Sequence, residues 1–220
     1  MTPERYRRLR AVLDRRQADL TVLLDNVHKP HNLSAILRSC DAVGVYQAHA
    51  VWPREVFRPH RLTSGGAGKW VGVNTHANVE AAIQQLHAGG YQVVAAHPGP
   101  EAMDFRDIDY TGPTAVVLGA ELQGVSAAAL ELADRHLIIP MAGHVASLNV
   151  SVAAAIVLFE AQRQRQLAGM FDSVQLPDDS YAKTLFEWAH PTIADYCRRH
   201  GRAYPELDED GGVIGNAWRE

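Results

Sequence analysis

Ile138-Ile139-Pro140-Met141, a bend through Gly143, and then Ser147-Leu148-Asn149-Val150-Ser151-Val152-Ala153-Ala154-Ala155 form the stretch that decides how this chain is read. An apolar strand that stops at a proline and re-enters a small-residue helix leaves many backbone groups free in one place. Such a place suits a polar cofactor. Two more segments have the character to complete it: the one from Asn32 to Arg38 upstream, and Gly119-Ala120-Glu121-Leu122-Gln123-Gly124 just before it.

Outward from that stretch the chain alternates. Leu9 and Leu13 mark a first amphipathic helix, and Leu20-Thr21-Val22-Leu23-Leu24 has the β-branched and apolar density of a buried strand. Leu33, Ile36, Leu37 and Val43 recur at helical spacing and stop at Gly44. Further strands are expected over 48–52, 71–73, 91–96, 115–118 and 137–139, with helices over 79–87, 126–133 and 148–168. This order predicts an α/β fold, a mostly parallel sheet with helices on both faces. Segment 53–68 reads as a long polar, glycine-bearing loop whose length points to function, and 101–109 as an acidic connector. The expected organisation is a basic N-terminal helix over 1–19, the α/β domain over 20–170, and a C-terminal extension over 171–220. From Asp172 onward that extension holds ten acidic residues against five basic ones, with Pro177, Pro191 and Pro205. It reads as one or two short helices and a tail.

Composition bounds the function. The 220 residues, 47% of them apolar, can build one buried core with appendages. No stretch reaches the roughly 20 uninterrupted apolar residues of a membrane helix, and Met1-Thr2-Pro3-Glu4-Arg5 is no apolar signal segment. A cytoplasmic protein without a membrane partner is expected. Cys40 and Cys197 match no metal spacing and form no disulfide framework. The histidines are scattered without ligand spacing, so no metal is expected. A net charge of −4 argues against a general polyanion binder, but its distribution does not. Residues 1–19 hold Arg5, Arg7, Arg8, Arg10, Arg15 and Arg16 against Glu4, Asp14 and Asp19, and a second cluster interleaves Tyr196, Arg198, Arg199, His200, Arg202 and Tyr204. Two arginine clusters bracketing an α/β core point to phosphate contacts.

The familiar nucleotide motifs are absent. After the first strand the chain reads Asn26-Val27-His28-Lys29-Pro30-His31, not the glycine fingerprint of a dinucleotide site. Ser64-Gly65-Gly66-Ala67-Gly68-Lys69 lacks the first glycine of a phosphate loop, at Thr63, and has Trp70 where serine or threonine is required.

Asn26-Val27-His28-Lys29-Pro30-His31-Asn32 with Ser34-Ala35-Ile36 and Arg38, the pair Gly119 and Gly124 around Glu121, and Ile139-Pro140-Met141 with Ser147 to Ala153 resemble, in order and spacing, the three motifs of the SPOUT class of methyltransferases. Within that class the chain is similar to the TrmH-type tRNA (guanosine-2'-O)-methyltransferases over residues 3–170, and through Gln162-Arg163-Gln164-Arg165. The resemblance implies a deep C-terminal trefoil knot, a rare exception to unknotted folds, and S-adenosylmethionine bent within it. It also implies a homodimer with sites shared between subunits, and 2'-O-methylation of the guanosine at position 18 in the tRNA D loop. The alternatives are a 2'-O-methyltransferase for ribosomal RNA or another tRNA site, and a non-catalytic RNA-binding knot protein. Relatives acting on ribosomal RNA usually carry a separate N-terminal domain, and only about 19 residues precede the first strand here, which favours tRNA.

By the same resemblance the donor is held at Ala96, Leu118, Gly119, Ile139, Met141, Ser147 and Leu148, on three knot loops. The family has threonine at the position of Ala96, so contact there falls to the backbone. Arg38 corresponds to the residue that activates the 2'-hydroxyl. A guanidinium stays protonated at any ordinary pH and is a poor base, so Arg38 is expected to bind a phosphate of the target nucleotide and polarise the hydroxyl. Asn32 orients substrate or caps a helix, Glu121 and Asn149 brace Arg38 and the knot loops, and Ser147 is either a pocket residue or the cap of the long helix. Arg163 and Arg165 resemble RNA-contacting positions of the family or are a solvated helix end, and Arg8 and Arg16 of the N-terminal arginine cluster are expected RNA contacts as well.

Overall fold

A computed structural model describes residues 1–51 and 67–215. By internal contacts the chain divides into two compact units: Gln17–Met170, and Met1–Arg16 together with Phe171–Glu220. The core boundary therefore falls after Arg16, three residues ahead of the expected one, and the N-terminal helix and C-terminal extension make one unit.

In chain order the elements are α1 (Pro3–Leu13), β1 (Leu20–Asp25), α2 (Pro30–Val43), β2 (Gln47–Val51), β3 (Gly72–His76), α3 (Val79–Ala88), β4 (Gln92–Ala96), β5 (Met103–Asp104), β6 (Thr114–Gly119), α4 (Ala127–Leu132), β7 (Arg135–Ile138), α5 (Val150–Leu167), α6 (Asp178–Ala189) and α7 (Pro191–Arg199). Among the described residues seven strands join one sheet in the order β3-β2-β1-β6-β4-β7-β5, and each of its ladders is parallel. β1 is buried along all of its six residues and β6 along all but its last, as a central parallel strand covered on both faces requires. Alternation sends Leu20, Val22 and Leu24 into a cluster with Ile36 and Leu37 of α2 and Val157 and Leu158 of α5. Leu23 of β1 and Ala115 and Val117 of β6 point the other way, toward Ile83 of α3 and Ala129 of α4.

Helix ends follow their local chemistry. α2 begins with Pro30, whose missing N–H costs nothing there, and stops at Gly44 with φ +88°, a left-handed cap that glycine takes without strain. Asn78 and Ser126 cap α3 and α4 by accepting from the N–H of Ala81 and Ala129. β5 lies inside the connector expected to have no regular structure, with Met103 and Asp104 in register with Leu137 and Ile138. The expected loop 53–68 falls outside the described residues save for Ala67 and Gly68, which open a 3-10 turn with Lys69. Within the core unit His49 and His76 share a hydrogen bond of 2.8 Å, and burial pushes the His49 imidazole down to about 4.

The smaller unit is built from α1, α6 and α7. The Tyr181 hydroxyl donates to Asp14 Oδ1 at 2.6 Å, the Phe186 and Tyr204 rings stack at 4.7 Å, and Gly211 packs so closely on Tyr6 that a methyl there would sit 2.4 Å from the ring. Among the described residues no helix is long and apolar enough to cross a membrane.

Candidate active site

β4, β6 and β7 are neighbours, so their C-terminal ends open side by side, the usual ligand position in a parallel sheet. A cavity of about 390 Å³ lies there. Its walls come from the end of β4 (Ala96, His97, Pro98), the turn after β6 (Leu118, Gly119, Ala120, Glu121, Gly124), the end of β7 (Leu137, Ile138, Ile139, Met141) and the approach to α5 (Ala146, Ser147, Leu148, Val150, Ala153). Most of this lining is apolar, with His97, Glu121 and Ser147 the polar side chains in it.

The turn after β6 depends on its glycines. Gly124, at φ +69°, donates its N–H to the Ala120 carbonyl at 2.7 Å, which folds Glu121 to Gln123 into a tight loop. The same loop lies flat on Gly119: a Cβ there would be 2.0 Å from the Gly124 carbonyl carbon. Gly119→Ala must therefore push the 120–124 turn outward. Overpacking of this kind costs about 1–3 kcal/mol, and because the turn is a pocket wall we expect donor affinity by calorimetry to fall at least about ten-fold.

Beside the cavity three polar side chains converge on Glu121. Asn32 Nδ2 donates to Glu121 Oε1 at 2.7 Å and Asn149 Nδ2 to the same oxygen at 2.9 Å. Lys29 Nζ forms an ion pair with Oε2. Asn149 Nδ2 also reaches Asn32 Oδ1 at 3.2 Å, while its own Oδ1 accepts from the backbone N–H and hydroxyl of Ser151 at 2.8 and 2.6 Å. One network thus ties the start of α2, the turn after β6 and the N-terminus of α5. Asp25, buried at the end of β1, accepts from Asn26 Nδ2 and the Ser126 N–H at 2.8 and 2.7 Å, which ties the turn before α2 to the start of α4.

The sequence pattern of the SpoU rRNA Methylase family matches residues 19–159, and that of the SpoU rRNA methylase C-terminal segment matches 163–216. The chain belongs to the SpoU rRNA methylase family. Within this SpoU family it is of the TrmH type. It is 47% identical over 219 residues to the tRNA (guanosine(18)-2'-O)-methyltransferase of Escherichia coli strain K12, covering 99% of this chain and 96% of that one. The structure of the Aquifex aeolicus TrmH/SpoU tRNA modifying enzyme superposes with a TM-score of 0.78 at 43% identity, over 86% of this chain and 96% of the other. An AdoMet-bound rRNA methyltransferase from Sinorhizobium meliloti gives 0.59 at 34% identity, over 70% of this chain and 59% of that one.

In this SpoU member all seven residues expected at the donor, Ala96, Leu118, Gly119, Ile139, Met141, Ser147 and Leu148, line the one cavity. Ser147 does so as a pocket residue, because α5 starts at Val150 and its cap is Asn149. Asn32 is likewise no cap: α2 opens two residues earlier, leaving Asn32 in the first turn, 2% exposed and bonded to Glu121. Arg38 stands apart from these residues. It is exposed on α2 and absent from the lining of the cavity, and six residues of helix place its backbone about 9 Å along the axis from Asn32.

Two of the RNA positions are corrected. Arg165 has no solvent exposure: its guanidinium donates to the carbonyls of Tyr110, Gly112 and Asp19, to Gln17 Oε1, and to the Asp19 carboxylate. Arg16 is also fully buried, with its guanidinium 5.3 Å over the Trp188 ring. Neither side chain can reach a phosphate without leaving the fold. Arg8 is exposed on α1, and Arg163 is exposed on α5 with its guanidinium on Glu160. Sequence reading assigned the side chains of Lys29, His97 and Asp25 no role, although His97 closes the first expected donor loop, Ala95 to His97, through its backbone. Lys29 sits inside the quoted first motif, three residues before Asn32, and that spacing was the available signal.

Proposed function

We infer that the protein transfers a methyl group from S-adenosylmethionine to the ribose 2'-oxygen of a guanosine in the tRNA D loop, at position 18. The observation that carries this reading is the junction of an apolar cavity with the Lys29–Asn32–Glu121–Asn149 network, in a chain 47% identical to an enzyme named for that reaction. The residues fit the donor. Leu118, Ile139 and Leu148 can cover the faces of a purine, and the backbone after Ile138, which has no ladder partner of regular structure until α5, can read its edge. When bound, S-adenosylmethionine supplies an electrophilic methyl group on a sulfonium.

The chain's own residues do the rest. Glu121 already accepts three hydrogen bonds, which suits a brace more than a base. Through it Asn32 and Asn149 are held in one orientation, so the acceptor side of the pocket is built before RNA arrives. Arg38 donates to a phosphate oxygen of the target nucleotide and to the 2'-oxygen, lowering the cost of charge developing there. The proton leaves to phosphate or water.

The same reading includes a homodimer and a threaded chain. Val152, Ile156 and Phe159 share one face of α5, with Val152 and Phe159 46% and 50% exposed. A second copy covering that face would bring its Arg38 toward this cavity. In support of the knot, β7 follows β4 and β5 in the chain yet lies between them in the sheet, and α5 returns to pack on α2 at the other half. The protein's place is the cytoplasm, where its tRNA is. Incubation with methyl-labelled S-adenosylmethionine and unmodified tRNA should put the label on the D-loop guanosine ribose. Label on ribosomal RNA alone would move the substrate, and donor binding without transfer would leave a binding protein.

A further inference from the structure

We propose that His97 is a specificity-determining residue of the pocket, one whose ring N–H donates to an oxygen of the methyl donor. The inference rests on the donor reading above. Of the polar side chains in the lining, Glu121 is taken up by Lys29, Asn32 and Asn149. His97 is different: among the described residues its ring nitrogens have no hydrogen-bond partner, yet the ring is held in place.

Three constraints hold it. The His97 N–H donates to the Leu137 carbonyl at 3.1 Å, carrying the β4–β7 ladder one residue past the strand. Pro98 follows directly, and a residue before proline is confined to extended backbone. The imidazole then meets His136 edge to face, with centroids 6.2 Å apart and planes at 77°. His136 is itself fixed, its Nε2 lying 3.0 Å from the Leu130 carbonyl. A carbonyl only accepts, so that nitrogen carries the hydrogen. A polar side chain on a backbone fixed from both sides, its ring in contact with His136, loses little entropy when it bonds a ligand, and His97 is part of the cavity lining.

What it can recognise follows from donor chemistry. A purine lies against apolar walls, so the oxygen acceptors left for an imidazole N–H are the ribose hydroxyls and the amino-acid carboxylate. Both are the same class of partner, and two ligands tell them apart: S-adenosylmethionine carries both, and 5'-methylthioadenosine only the ribose.

The test measures binding of both ligands by calorimetry to wild type, His97→Phe and His97→Gln, with thermal unfolding of each protein alone. His97→Phe keeps a ring against His136 and removes the N–H, whereas His97→Gln keeps an N–H donor. We expect His97→Phe to bind S-adenosylmethionine about ten-fold more weakly at an unchanged unfolding midpoint, with His97→Gln recovering part of the loss. A matching loss for 5'-methylthioadenosine locates the contact at the ribose, and a loss confined to S-adenosylmethionine locates it at the carboxylate. Affinities of His97→Phe within two-fold of wild type for both ligands, or equal losses in both variants, overturn the proposal. Failure of the wild-type protein to bind S-adenosylmethionine would instead overturn the donor reading itself.

Discussion

Arg165→Ala should unfold the Gln17–Met170 unit far more easily, by about 3–5 kcal/mol, because it strands a set of buried acceptors that one guanidinium satisfies. Those acceptors come from two places in sequence, Gln17 and Asp19 before β1 and Tyr110 and Gly112 before β6, and the arginine ties both to α5, which carries it. The guanidinium is thus a fastener at the N-terminal end of the sheet, opposite the pocket. At fixed protein concentration the melting midpoint should fall by roughly 10 °C or more, since in units of this size each kcal/mol moves it by a few degrees. Lysine cannot substitute, because a single ammonium lacks the planar fork that reaches several carbonyls at once. A phosphate contact makes the opposite forecast: an unchanged midpoint, with tRNA affinity weaker and its salt dependence shallower. Arg163→Ala supplies the control. Its side chain is exposed and paired with Glu160 in a surface bridge worth at most about 1 kcal/mol, so its loss should show in RNA binding and hardly in the melt.

The contrast between these two arginines marks how much could be read ahead of the structure. They are two residues apart on one helix, and so on nearly opposite sides of it. The signal was present in the apolar stripe Val150, Ala154, Val157, Leu158 and Ala161, which reaches Arg165 at the next helical step. A charge at the end of a helix reads as solvated by default, and the carbonyls that reverse this lie about 50 and 150 residues away in the chain. Strands β1 and β6 and helices α2 and α3 were legible to within a residue or two, because buried parallel strands are apolar throughout and the helices end at glycine. β5 was not: two residues, Met103 and Asp104, have no period of their own and are a strand only because β7 lies alongside. At the site, motif spacing found the residues that line the cavity, and Glu121 with the two asparagines that meet at it, Asn32 and Asn149. That spacing put Lys29 beside Asn32 but did not show that it closes the network, since an ion pair across 92 positions depends on the topology. Nor did it show that Arg38 would stand outside the cavity lining.

Arg38→Lys should lower turnover by about 100-fold or more, a loss of roughly 3 kcal/mol of transition-state stabilisation of the size seen when a preorganised donor to a developing oxyanion is removed. Folding and donor affinity should be unaffected, since the side chain is exposed and outside the cavity lining. Charge alone is kept in this variant, so the experiment isolates the guanidinium's ability to hold a phosphate oxygen and the 2'-oxygen together. Turnover near that of wild type would remove the specific role. Where Arg38 acts can be settled with a second inactive variant, Glu121→Gln, which damages the pocket side instead. In a two-fold dimer with shared sites, a mixed dimer of the two variants holds one site with an intact Glu121 facing an intact Arg38, and one site that lacks both. Random exchange of equal amounts makes about half the dimers mixed, so the mixture should recover about a quarter of wild-type activity while each variant alone stays inactive. If each Arg38 served the cavity of its own chain, no combination would hold a complete site and mixing would restore nothing. Recovery therefore reports directly on the geometry in which an exposed arginine on α2 completes a pocket built by the C-terminal ends of β4, β6 and β7 in the other copy.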